Sequence, residues 1–245
     1  MGVRLMEARI VKDSLQKLSE VIPFKYPATG WYFSAENLEN SFIYKKDRWV
    51  CMFMYWAVVI KKGKRIQFSA DCGKACPGIQ EFGGFTPPVD DKGKFIAEIE
   101  RFKKTRALAR AYYRDWVAEI HTPPEKFLYF EQIEKIDDNR EIEVVNLFPD
   151  ITGLANLTAL ATYDREESGT LIPDASGCQS AFSIPYDQKF KDRPMCIVGS
   201  MDVLIRRFIP DDMIMFSAPT NRFVEMVNNI EGSFLDKKFE NPTSF

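Results

Sequence analysis

Four thiols stand where they could do chemistry together. Cys51, Cys76, Cys178 and Cys196 each lie beside an apolar segment, and Cys76 runs directly into Pro77-Gly78. Four thiolates can complete a tetrahedral zinc site or hold an iron–sulfur cluster, because soft sulfur stabilises both, and a proline behind a cysteine ligand stiffens the backbone that carries it. The spacing is wide for structural zinc, which favours cysteine pairs two to four residues apart; only Cys72 and Cys76 meet that. Cys72 and Cys76 also begin a radical-cluster pattern, but Ile79 stands where its third cysteine belongs. Two readings therefore stand side by side: Cys51, Cys76, Cys178 and Cys196 as ligands of one metal or iron–sulfur centre, or the same residues as separate buried thiols in a core that cysteine commonly enters.

Other residues offer other chemistry. Cys178 follows Gly177 where an apolar segment begins, a place where a helix start lowers a thiol's pKa, so it is a candidate nucleophile of a thiol enzyme; the sole histidine, His121, is its available base. Gly199 and Ser200, between an expected strand and helix, form a candidate seat for an anionic cofactor group, against the plainer reading of a helix cap with Asp202 early in the helix. The stretch Ile79 to Asp91, with Gly83-Gly84 and Pro87-Pro88, reads as a loop or lid. Closed over Trp31, Tyr32, Trp49, Phe53, Tyr55 and Trp56, it would cover a flat small-molecule ligand; packing of those rings in the core is the competing view. Gly-x-Ser-x-Gly, P-loop, dinucleotide and zincin motifs are absent from the sequence.

Elements must position these residues. Ile10, Leu15, Leu18 and Ile22 recur at helical spacing and predict an opening helix over 8–22. Strands are expected at 31–33, 65–69, 126–130, 143–148, 195–198 and 213–217. Trp49 to Ile60 is an apolar run read as a helix, and a long helix is expected from Phe95 to Ile120 with Arg101, Lys104, Arg110 and Arg114 around its polar side. Asp150 or Thr152 caps a helix through Leu154, Leu157, Leu160 and Ala161. Further helices are expected from Gly177, from about Met201, and from Asn221 to Leu235, with a disordered tail over 237–245. The fold class is α+β, a mixed sheet with packed helices in a single domain over 1–245. A faint echo, Cys51 with Cys76 and again Cys178 with Cys196, suggests two similar halves.

Composition bounds the rest. The chain of 245 residues is 45% hydrophobic and 28% charged, with a formal net charge of −2. That balance fits a globular protein and offers no positive field to gather a nucleic-acid backbone. The longest apolar run falls short of the roughly 20 residues that cross a bilayer, and the N-terminus lacks the apolar core of a secretory signal, so a cytoplasmic protein without membrane partners is expected. Five cysteines in a reducing compartment argue against a disulfide framework.

The order of Cys51, Cys76-Pro77-Gly78, the passage from Asn146 to Ala155, Gly177-Cys178 and Cys196-Ile197-Val198-Gly199-Ser200 resembles the domain of unknown function 169 family. The likeness runs from about Pro23 to the final helix. It implies a mostly prokaryotic group, frequent in anaerobes, whose biochemical role is open. Cys72 is extra to that pattern, and Ser200-Met201-Asp202 stands where relatives carry Ser-Arg.

Overall fold

The computed structural model describes residues 6–43, 51–72, 77–85, 92–114 and 124–236. Its strands are β1 (Met6–Glu7), β2 (Phe24–Ser34), β3 (Phe42–Ile43), β4 (Ile66–Phe68), β5 (Phe127–Gln132), β6 (Glu141–Ile142), β7 (Val144–Pro149), β8 (Thr170–Leu171), β9 (Cys196–Gly199) and β10 (Met215–Pro219). Eight form one mixed sheet in the order β3-β4-β5-β2-β7-β10-β9-β8, and β1 pairs with β6 in a small ribbon. The expected α+β class holds, and every interior strand is antiparallel to its neighbours except at the two margins, where β3 joins β4 and β8 joins β9 in parallel.

Successive side chains of a strand point to opposite faces. One face carries Trp31, Phe68, Phe130, Val144, Phe148 and Met215, and the other Tyr32, Tyr129, Val145, Leu147, Phe216 and Ala218. Helices cover both. Ala8–Ser19, Ile151–Thr162 and Thr220–Asn228 lie on the second face, while 52–62, Pro77–Phe82 and 177–188 lie on the first. Burial on both sides explains why Phe127 to Phe130 of β5 and, but for Asn146, Val144 to Phe148 of β7 read as apolar runs and not as alternating ones.

Local signals place several elements well. The Asp150 carboxylate accepts from Gly153 N at 2.7 Å and caps Ile151–Thr162. Two expectations fail. The stretch from Ile79 is not a loop: Pro77–Phe82 is a helix whose Ile79 and Phe82 are fully buried, and Gly84, at φ +77°, ends it in the left-handed conformation that glycine adopts freely. Residues 86–91 of that stretch lie outside the described residues. The long helix from Phe95 is broken. A π-helix at Phe95–Ile99 stops before Arg101 takes φ +55°, a new helix starts at Arg106, and Ile99 faces solvent at 65% exposure. Positions 115–123, with His121, and the tail 237–245 lie outside the described residues. No described helix is long and apolar enough to cross a membrane.

The second face holds a buried cation. Arg222, 1% exposed, donates to both Asp164 oxygens at 2.9 and 2.6 Å and to Ala161 O at 2.8 Å. The Arg222 hydrogen bonds hold the Asp164 carboxyl well below its usual range. Asp164→Ala should cost about 2 kcal/mol, less than the loss of a fully buried pair because the carboxylate is partly solvated. A depressed folded pKa stabilises above the unfolded value, near 3.9, and that contribution is lost as pH falls. Urea melts of wild type should therefore weaken more steeply below about pH 4 than those of Asp164→Asn.

Candidate thiol site

The helix over 177–188 begins with a reciprocal cap. Gln179 Oε1 accepts from Ser176 N at 3.0 Å and from Ser176 Oγ at 2.9 Å, and Gln179 N reaches back to Ser176 Oγ at 3.4 Å. This is the Ser-x-x-Gln capping box, and it fixes the first turn. Gly177 N is taken by Asp202 Oδ2 at 2.8 Å, while Asp202 Oδ1 accepts from Leu204 N at 2.9 Å. One buried carboxylate thus ties the exit of β9 to the turn that presents Cys178. Burial pushes the Asp202 carboxyl upward, opposed by those two amides.

The helix then widens into a π-turn at Gln179–Ser183, every residue of which is buried. The sheet serves it directly. Asn146, fully buried in β7, donates to Ala181 O at 2.9 Å and to Ser217 Oγ at 2.8 Å, and accepts from Trp31 Nε1 at 2.8 Å. Single-turn π segments occur often at functional sites, since they re-aim side chains without ending the helix.

Cys178 is 7% exposed and sits against the start of Pro77–Phe82: a Cβ on Gly78 would stand 3.2 Å from Cys178 Sγ. Cys51, also 7% exposed, lies at the start of the third helix on this face, 52–62. The two helix starts meet, because a Cβ on Gly177 would stand 2.7 Å from a Phe53 ring carbon and from Ile205 Cδ1. Cys76 lies two residues before Gly78, outside the described residues. Cys72 shares this core but is fully buried, with its Sγ 3.7 Å from both Gln67 O and Ser69 Oγ.

Cys196 is elsewhere. It opens β9 with its side chain on the second face, fully buried, its Sγ 3.2 Å from Met226 Sδ. The sheet stands between it and Cys51 or Cys178, so the four-cysteine set drawn from the sequence does not share one compartment. Among the described residues, no group of three or more His, Cys, Asp or Glu side chains is placed to hold a metal. Burial pushes the Cys196 thiol up to about 12. It should stay unlabelled by iodoacetamide at pH 8 in the folded protein and react only once the chain is unfolded, as mass spectrometry of the labelled peptide will record.

Gly199 and Ser200 are also reassigned. The helix after them, Val203–Arg206, is a single short turn whose start is already served by Asp202, so the chain's own carboxylate takes the place an anion would fill. Ser200 itself holds φ +68°, an unusual conformation for a residue with a side chain, and its buried Oγ has no hydrogen-bond partner. The aromatic pocket is filled by its own rings. Trp31 packs on Phe68, Phe130 and Phe182, with centroids 6.0, 4.4 and 5.0 Å away, and Trp56 stacks on Phe53 at 5.0 Å. Trp49 lies outside the described residues. Sequence reasoning passed over Ser176, Gln179 and Asn146; the capping-box spacing and a lone amide within an apolar strand were the signals that mark them.

A three-layer α+β protein with two thiols at helix starts on one sheet face is the class that fold and site define. The chain belongs to the DUF169 family, described as "Uncharacterised ArCR", whose model matches residues 17–229. No curated protein and no solved structure matches it significantly.

Proposed function

We propose that the protein holds a soft metal ion or iron–sulfur centre through Cys51, Cys178 and Cys76, with Cys196 outside the ligand set. The observation that carries this reading is the meeting of two cysteine-bearing helix starts on one face, with Cys178 Sγ packed against Gly78. Thiolates at helix starts are favoured by the amide ends there, and three sulfurs suit zinc or a cluster with one position left for an outside ligand. The test is protein purified without oxygen, examined by ultraviolet–visible absorption and by metal and sulfide analysis. Stoichiometric metal, lost in Cys178→Ala and kept in Cys196→Ala, is the expected outcome; metal-free and sulfide-free wild type refutes it.

A further inference from the structure

Towards the β3 edge of the sheet, on the face opposite the thiols, a buried carboxylate has only one of its oxygens in use. Glu131 of β5 is 2% exposed. The antiparallel register that sets Ile66 opposite Phe130 brings Arg65 beside Glu131 and turns both to the face of Tyr32 and Tyr129. Glu131 Oε1 accepts from Tyr32 OH at 2.5 Å and from Arg65 Nε at 2.7 Å, whereas Oε2 has no donor among the described residues. A carboxylate oxygen in so enclosed a place is costly to leave without one. Burial pushes the Glu131 carboxyl upward, against the pull of Arg65 and Tyr32.

That carboxylate lines an open cleft of about 750 Å³ where β3, β4 and β5 meet, together with Lys64, Arg65, Lys135, Glu39 and Phe42. The volume suits a small molecule, but the lining is polar where most such sites are apolar, so the ligand it fits is hydrophilic. The cations are placed and still have donors to give. Arg65 offers its Nε to Glu131 and lies over the Tyr129 ring at 5.8 Å, which holds the guanidinium plane in position. Its outer nitrogens, next to the Tyr32 hydroxyl, make no ion pair with any other described residue. Lys135 Nζ donates to Gly63 O at 2.9 Å and keeps two further N–H groups. Lys64 is exposed and in no ion pair among the described residues. Three cations therefore meet two carboxylates, and the cleft is left positive. The chain leading to Glu39 is fixed as well, since Tyr129 OH accepts from Leu38 N at 2.9 Å and donates to Glu36 O at 2.9 Å.

We propose that this cleft binds a small hydroxylated phosphate monoester, with its phosphate on Lys64, Lys135 and the outer nitrogens of Arg65 and a hydroxyl donating to Glu131 Oε2. A planar guanidinium fork joined by two ammonium groups matches the charge and shape of a phosphate. An enclosed acceptor that lacks a donor selects a ligand carrying a hydroxyl over bare phosphate. The sheet separates this site from Cys51 and Cys178, and the proposal does not depend on the metal reading.

Glycerol 3-phosphate is the probe, titrated into the full chain by isothermal calorimetry at low salt beside inorganic phosphate and glycerol. It should bind at least about fivefold more tightly than inorganic phosphate, since only the ester supplies a donor to Glu131, and glycerol alone should give no heat of binding. Lys64→Ala and Lys135→Ala, at exposed side chains outside the core, should each weaken binding of glycerol 3-phosphate by about fivefold or more, the loss of one charge-assisted hydrogen bond. Lys17→Ala, on the helix Ala8–Ser19, should stay within about twofold of wild type, because its charge is screened from the cleft. Glu131→Gln, checked for folding by circular dichroism, should bring the two anions to within about twofold of each other. No binding of glycerol 3-phosphate, or unchanged affinity in both lysine variants, overturns the site. Equal affinity of wild type for the two anions overturns the hydroxyl contact and the ligand class with it.

Discussion

Trp31→Ala should destabilise the protein by about 4 kcal/mol, the upper part of the range for removing a buried indole. Trp31 is fully buried, its ring packs on three phenylalanines, and its Nε1 is the donor to Asn146 Oδ1. Truncation opens a cavity and leaves that amide oxygen unpaired in the core, so two costs add. The effect reaches the thiols, because Phe182 and Ala181, which Trp31 and Asn146 hold, belong to the helix that starts at Cys178. Trp31→Phe separates the two contributions: it keeps most of the packing and should cost about 2 kcal/mol, chiefly the orphaned Asn146 oxygen. Denaturant melts of both variants measure this, and equal stability of Trp31→Phe and wild type would contradict the role given to Asn146.

Asp202→Ala should cost about 3 kcal/mol, since it strips the buried Gly177 amide and the half-buried Leu204 amide of their acceptor and removes a helix cap. The same change should speed alkylation of Cys178 by about tenfold or more, because the turn that presents the thiol loses its tie to β9 and opens locally. Substitution at the exposed Asp71 should change neither quantity. The pH dependence has a definite sign. Burial raises the folded pKa of Asp202, so its protonated form is favoured by folding; that stabilisation is present in acid and is lost as pH rises from the unfolded value, near 3.9, through the raised one. Asp202→Asn, which does not ionise, should remove this decline, and chemical melts across pH 4 to 7 will record the difference.

Periodicity and caps made the framework of the sheet legible. Trp31-Tyr32-Phe33, Phe127 to Phe130 and Val144 to Phe148 are strong strand signals, and Asp150 marks its helix. The failures have local physical causes. Gly83-Gly84 drew attention as a lid, but these glycines only end a short helix whose Ile79 and Phe82 were core residues. The Phe95 to Ile120 pattern hid a break at Arg101 because apolar spacing does not register a left-handed residue. Four cysteines at element edges looked like one set, yet strand parity puts Cys196 on the far face, and parity needs the register that only pairing supplies. The sequence places Asp202 early in the helix after Ser200; that one of its oxygens holds Gly177 depends on a contact between distant segments.

The most direct test of the thiol site is anomalous scattering at the metal edge, from crystals grown without oxygen after loading with zinc or cadmium. An anomalous peak on the Trp31 face, bonded to Cys51 and Cys178 and remote from Cys196, is the result expected. A peak at Cys196, or crystals of loaded protein with no peak between the two helix starts, would contradict it.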